Sequence, residues 1–303
     1  MAKTVRDLFN DYMANSDRSQ SAVARAIGIS ATSLSQWINK KYPGDFVKLE
    51  KRIEDFLSRE FTRAKYKVHD NFIDTSLALS ITDVLNYCHT HQDMGVVYGS
   101  PGLGKTISAN EYKKAHPDTL LITAFKGFSW SAIISSICED LGLASKLAGY
   151  RKVQMISNAL KGSDRLIIID EAQFLTDSSL EIVRSIHDLS GVGVVYIGQP
   201  SLERKMKGKE AEFFAQIYSR LGVKLTLSAP EFTDVQLIAN SYGIRDERII
   251  QYLWDVVIND RWGGSFRKMS KLLKLALRVS TTKDTEITIP FLKDVGRNMI
   301  YSA

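Results

Sequence analysis

Gly99-Ser100-Pro101-Gly102-Leu103-Gly104-Lys105-Thr106 decides how this chain is read. The stretch fills every fixed position of G-x-x-x-x-G-K-[ST], the phosphate loop, and Gly95-Val96-Val97-Tyr98 before it predicts the strand that feeds such a loop. Glycines at 99, 102 and 104 permit backbone dihedrals and close approaches that a β-carbon would obstruct, so successive amides can turn toward a polyphosphate. A helix over 107–115 would point its positive end at the same anion. Lys105 would reach the β and γ phosphates and the Thr106 hydroxyl would ligate Mg²⁺.

A second stretch pairs with the first. Leu166-Ile167-Ile168-Ile169-Asp170-Glu171 predicts a buried parallel strand that carries two carboxylates to the C-terminal edge of a sheet, where such sheets bind ligands. Asp170 would organise the metal and Glu171 would polarise an attacking water. Gly193-Val194-Val195-Tyr196-Ile197-Gly198 predicts another strand, and Gln199 at its end can help hold that water. A strand over 223–227 follows Arg220, which either reaches a neighbouring subunit's nucleotide or is a surface arginine.

Composition narrows the setting. The 303 residues include 40 Lys+Arg against 34 Asp+Glu, a net charge of +6 that leans weakly toward nucleic-acid partners. An uninterrupted apolar run of about 18 residues is missing, so no transmembrane helix is expected and the chain reads as cytoplasmic. Cys88 and Cys138 have no metal-ligand or C-x-x-C spacing and read as reduced packing residues. His89 and His91, two apart on a helix, face different ways and do not suggest a metal site.

Four segments are expected along the chain. Residues 1–62 read as a helical module, with a helix over 5–13, a short helix ending at Gly28, and a helix over 31–41 capped by Ser30. Helix, glycine turn and helix make a helix-turn-helix, in which 31–41 would present Ser33 and Gln36 to base edges and Lys40 and Lys41 to phosphates. A small helical bundle for protein contacts is the other reading. A helix over 47–65 closes the module, 63–80 reads as a connector with Phe72-Ile73 as an isolated apolar pair, and a helix is expected from Thr82. Residues 81–228 alternate strands and helices, which predicts a parallel α/β domain. Within it a loop over 146–152 offers Lys146, Arg151 and Lys152 to a phosphate backbone, or is simply solvated. Residues 229–303 return to helical periodicity, with Arg267 placed to fold onto a triphosphate and further basic residues that read as a solvated flank.

With these pieces in order, the chain resembles the transposition ATPases of the phage Mu B type, a branch of the AAA+ class. The resemblance rests on the helix-turn-helix ending near Asn39-Lys40-Lys41-Tyr42, on Phe72-Ile73-Asp74-Thr75, on the phosphate loop, on Ile168-Ile169-Asp170-Glu171-Ala172 and on Tyr218-Ser219-Arg220. It implies an α/β AAA+ core with a parallel sheet, an N-terminal helix-turn-helix domain and a C-terminal helical lid. It implies an ATP hydrolase using ATP and Mg²⁺, with Lys105, Thr106, Asp170, Glu171, first sensor Gln199 and second sensor Arg267 in one subunit and Arg220 from the next. The implied partners are double-stranded DNA bound with little sequence preference, further copies assembled into a helical filament, and a transposase, in a bacterial host's cytoplasm. Gln199 departs from the usual asparagine and offers the same amide on a longer arm. A nucleotide-gated transcription regulator and a helicase loader are the alternatives.

Overall fold

Three aliphatic runs form strands buried at every residue: β1 Met94–Tyr98, β3 Leu166–Asp170 and β4 Gly193–Gly198. Burial on both faces is what near-continuous aliphatic sequence specifies in a parallel sheet. In this computed structural model, which describes residues 4–65, 72–143, 149–207, 219–259 and 265–297, these strands join β2 Leu120–Thr123 and β5 Leu221–Thr226. The order is β2-β3-β4-β1-β5 and every ladder among the described residues is parallel. The β-phosphate-loop strand therefore lies inside the sheet, next to the strands that end in Gly198 and, one further on, in Asp170.

The side chains of the sheet alternate between two cores. Val97, Ile168, Val195 and Ile197 pack with α5 Ser76–His91 and α6 Lys105–Ala115. Val96, Ile167, Ile169 and Val194 pack on the other face with α7 Trp130–Asp140, α8 Tyr150–Leu160 and α9 Asp177–Ser190. Helix α10 Pro200–Lys207 leads away from β4. The C-terminal helices α11 Phe232–Ser241, α12 Glu247–Ile258, α13 Phe266–Lys283 and α14 Ile289–Arg297 share the first of these cores through Ile238, Leu253, Met269 and Leu292. Cys88 and Cys138 are both buried thiols, and burial pushes the Cys88 thiol up to about 12.

By contacts the chain divides into residues 1–68 and 69–303. The first unit has its own core. Helices α1 Val5–Ala14, α2 Gln20–Ile27, α3 Ala31–Ile38 and α4 Phe46–Lys65 bury Phe9, Val23, Leu34, Trp37, Ile53 and Phe56 together. Gly28 ends α2 in the left-handed conformation at φ 80°, as a helix-terminating glycine does, and Ser30 caps α3 by accepting from Ser33 N. Arg52 of α4 donates to the carbonyls of Ile27 (3.2 Å) and Gly28 (2.8 Å), which satisfies acceptors that the end of α2 leaves open. The helix, tight turn, helix order of the sequence is thus present.

Several boundaries differ from those expected. Helix α3 stops at Ile38, and Lys40 turns left-handed at φ 61°, so Lys40 and Lys41 follow the helix and do not extend its outer face. Helix α5 begins at Ser76 and not Thr82, taking in residues 76–80 assigned to the connector. Thr75 caps it by accepting from Ala78 N, and Asp234 accepts from Ser76 N (2.6 Å) and Ser76 Oγ (2.8 Å). A carboxylate at a helix N-terminus stabilises it, and this one is supplied from α11, beyond any local pattern. Helix α8 begins at Tyr150, so Arg151 and Lys152 sit in its first turn and not in a loop; Lys146 lies outside the described residues. Strand β5 starts at Leu221, directly after Arg220.

Two glycines test the packing in opposite senses. A β-carbon on Gly193 would lie 2.2 Å from the Cys88 carbonyl oxygen, whereas one on Gly296 in α14 meets nothing closer than 3.8 Å. Gly193→Ala is expected to destabilise by roughly 1–3 kcal/mol through overpacking. Gly296→Ala is expected to stabilise by up to about 1 kcal/mol, because a helical glycine loses more entropy on folding. Urea melts of the two variants beside the wild type check both signs.

Candidate functional site

The phosphate loop runs from the end of β1 into α6, and its anchor is a backbone bond from Gly99 N to Gly198 O at 3.1 Å. Gly102 and Gly104 take φ 89° and 91°, which only glycine adopts without strain. Gly104 is the N-cap of α6 and has no side chain to cap it, so the first amides of the helix are left to an anion. Leu103 is buried and pins the loop to the core. Lys105 is buried as well, and its Nζ donates to the carbonyls of Gly99 and Ser100, each at 2.8 Å.

Charge at the site is concentrated and partly desolvated. Burial holds the Lys105 ammonium below the ordinary lysine range; Glu171 and Asp170 oppose that shift and Arg267 adds to it. Asp170, 2% exposed, is pushed up, first by burial. It accepts from Thr106 Oγ1 at 2.6 Å and from Glu171 N at 2.9 Å, bonds that favour its charged form. A hydroxyl and a carboxylate in this contact are hard oxygen donors of the kind Mg²⁺ takes. Glu171 itself has φ 56°, a left-handed conformation unusual for a residue with a β-carbon.

A cleft of about 580 Å³ gathers Gly102, Gly104, Lys105, Thr106, Glu171, Gln199 and Arg267 on one surface. The C-terminal helices close it: Phe266 N donates to Gly102 O at 3.1 Å, and a β-carbon on Gly102 would lie 2.2 Å from Ser265 Oγ. Ser100 and Pro101 complete the loop, and Asp170 lies against it through its bond from Thr106. Arg220 does not join them. It precedes Leu221, which pairs with Met94 at the start of β1, the sheet edge opposite the loop, and its Nε donates to Asp188 Oδ1 at 2.6 Å. Ser33, Gln36, Lys40 and Lys41 belong to the first unit and are described by themselves: Ser33 Oγ is bonded to Ser30 Oγ at 2.8 Å, Gln36 is half-buried, and Lys40 and Lys41 are exposed. Arg151 is exposed and Lys152 half-buried at the start of α8.

Sequence reading overlooked three parts of this cleft. Phe72 and Ile73, taken as a connector pair, line it together with Ile238 and Tyr242. Ser265 and Phe266 hold the loop from the C-terminal side. Gln173 donates through Nε2 to Glu171 Oε2 and accepts from Gln199 N at 3.1 Å. Its only sequence signal is its place two residues after the acidic pair.

The family described as AAA domain matches residues 88–206, and the family described as Mu B transposition protein, C terminal, matches residues 219–299. Among solved structures, the ORC2 protein of Aeropyrum pernix gives a TM-score of 0.56 at 16% identity, over 76% of this chain and 70% of that one. Domain III of the Thermotoga maritima replication initiation protein DnaA gives 0.51 at 17% identity, over 78% and 97%. The central part of the chain thus matches the AAA domain family and shares the fold of these structures, in agreement with its phosphate loop and acidic strand end. Two relatives narrow this. The Mu-like prophage FluMu DNA transposition protein B of Haemophilus influenzae is 27% identical over 276 residues, 88% of this chain and 94% of its own. The ATP-dependent target DNA activator B of Escherichia phage Mu is 25% identical over 292 residues, 94% and 91%. Along most of its length the chain is thus similar to Mu B-type transposition proteins.

The Lys105 shift has a measurable sign. An amine with a lowered pKa is charged below that value and neutral above it, and bound phosphates favour the charged form. Affinity for ATP is therefore expected to fall as pH rises through the lowered Lys105 pKa, before an ordinary lysine would titrate. Isothermal titration between pH 7 and pH 10 checks this, with proton uptake on binding as the accompanying signal; an affinity constant across that range would contradict it.

Proposed function

We propose that this chain is an ATP hydrolase whose nucleotide state switches its assembly on target DNA during transposition. The single observation that carries the reading is the convergence of Lys105, the Thr106–Asp170 pair, Glu171, Gln199 and Arg267 on one cleft. The names of the related proteins, a DNA transposition protein B and an ATP-dependent target DNA activator B, supply the context.

In this reading the loop amides and Lys105 hold the β and γ phosphates of ATP, and Phe72, Ile73 and Tyr242 offer an apolar wall to the purine. Thr106 and Asp170 hold Mg²⁺, which when bound neutralises charge on the phosphates. Glu171 takes a proton from water as the water oxygen bonds to the γ-phosphorus and the bond to the bridging oxygen breaks, leaving ADP and phosphate. The Gln199 amide orients the water, and Arg267 approaches from the C-terminal helices. Arg220, on the opposite sheet edge with a nearby carboxylate as its partner, acts on the nucleotide of the next copy. An arginine so placed serves a site only across a subunit interface, which ties hydrolysis to assembly.

Duplex DNA is the template for the assembly and a transposase its client, in the cytoplasm of a bacterial host. Ser33, Gln36, Lys40 and Lys41 of the first unit and Arg151 and Lys152 of α8, with Lys146, are the DNA-facing groups. Contacts of this kind fall mainly on phosphates, so binding is steeply salt-dependent and little selective. No helix among the described residues is long and apolar enough to cross a membrane.

Electron microscopy of the full chain on random-sequence duplex, with ATP, with ADP and without nucleotide, tests the proposal. Continuous filaments are expected with ATP alone and are expected to vanish in Lys105→Ala. Arg220→Ala is expected to keep ATP affinity within about threefold of wild type while lowering turnover at least about a hundredfold, as loss of a transition-state arginine does. Discrete complexes indifferent to nucleotide would overturn the reading in favour of a helix-turn-helix regulator.

A further inference from the structure

Gln173 lies outside the loop, the metal pair and the water-holding residues, yet both ends of its side-chain amide are used at the site. Nε2 donates to Glu171 Oε2, and Oε1 accepts from Gln199 N at 3.1 Å. Only one orientation of the amide satisfies both contacts, because a backbone N–H needs an acceptor and a carboxylate needs a donor. Room for it is built into β4. A β-carbon on Gly198 would lie 2.9 Å from Gln173 Oε1 and 2.9 Å from Leu202 Cδ2. The turn that carries it is fixed as well: Glu171 sits at φ 56°, Ala172 is fully buried, and Phe174 N donates to Glu171 O at 3.0 Å.

We propose that Gln173 is a positioning residue that couples the Glu171 carboxylate to the end of β4, so that activation of water depends on where Gln199 stands. The proposal rests on the hydrolysis reading given above and extends it. The donated N–H selects which Glu171 carboxylate oxygen faces the cleft. The same amide is held from behind by the main chain of Gln199. A shift of Gln199 toward or away from a γ-phosphate is thereby passed, through one rigid planar group, to the group that accepts the proton. In this arrangement the proton acceptor and the residue beside the phosphate move as one unit.

The test is steady-state ATP turnover by the full chain, wild type against Gln173→Ala and Gln173→Glu, with kcat and KM resolved separately. Thermal melting and Mg-ATP affinity of each variant establish that it is folded and loaded. Gln173→Ala is expected to lower kcat by about tenfold to a hundredfold with KM changed less than about threefold, since a mispositioned base loses part of its general-base contribution. Gln173→Glu keeps an acceptor for Gln199 N but places a like charge beside Glu171 in place of a donor, and is expected to lower kcat at least as far. In a Glu171→Gln background, Gln173→Ala is expected to change the residual rate little, since the two residues act as a unit.

A Gln173→Ala enzyme with unchanged kcat would overturn the proposal while leaving the hydrolysis reading standing. So would a loss as large in the Glu171→Gln background as in the wild type, which would mark a merely structural role. A wild-type chain that binds Mg-ATP and never turns it over would overturn the hydrolysis reading and this proposal together.

Discussion

Asp170 is a carboxylate taken almost entirely out of water, and the site is built around the bonds that make that tolerable. An ionised carboxylate without partners is costly to bury, and the protein answers with the Thr106 hydroxyl, the Glu171 amide and the nearby Lys105 charge. Each answer fixes a piece of the cleft. The Thr106 bond ties the first turn of α6 to the end of β3 and so sets where the loop amides converge. The Glu171 amide can reach its own neighbour's carboxylate only when the chain turns sharply, and the left-handed backbone at Glu171 is part of that turn. Lys105, itself held among loop carbonyls, has its pKa lowered by the same burial that raises that of Asp170. Opposed shifts of this kind concentrate where charge is to be handled.

The C-terminal helices are joined to this arrangement through backbone as well as side chains. Phe266 N bonds to the carbonyl of Gly102, and Ser265 occupies the space that a larger residue at 102 would need. A change in the loop is therefore felt at the start of α13 without an intervening flexible side chain. At the far end of the cleft, Asp234 of α11 caps α5, so the C-terminal part touches the core at both ends of the nucleotide region.

How much of this was legible in the sequence follows from the range of the interactions involved. The phosphate loop, the acidic strand end and the buried strands are written in short runs, because local glycine spacing and continuous aliphatic residues specify them directly. The left-handed end of α2 at Gly28 was legible for the same reason. The start of α5 was not: residues 76–80 carry a weak helical pattern, and the carboxylate that stabilises them comes from Asp234, distant in sequence. The end of α3 was set too late because Lys40 and Lys41 suit a helix by composition, and the left-handed turn at Lys40 is a tertiary outcome. Gln173 looked like any polar residue after a strand, since its meaning depends on Gly198 and Gln199, which β4 brings alongside only when the sheet forms. Arg220 stands out in the sequence, but its place at the sheet edge opposite the loop follows only from the register of β5 against β1.

One feature of the packing bears on the ancestry of the chain. The core on the α5 side of the sheet is continuous with that of α11 to α14, so Val97 and Ile197 of the strands belong to the same cluster as Leu253, Met269 and Leu292. The division near residue 229 is a change of sequence pattern with no gap in the packing beneath it. Such a chain cannot exchange its nucleotide-binding part or its C-terminal helices as independent cassettes without re-matching a shared interior. Substitutions inside the C-terminal helices are then constrained by the sheet that carries the phosphate loop.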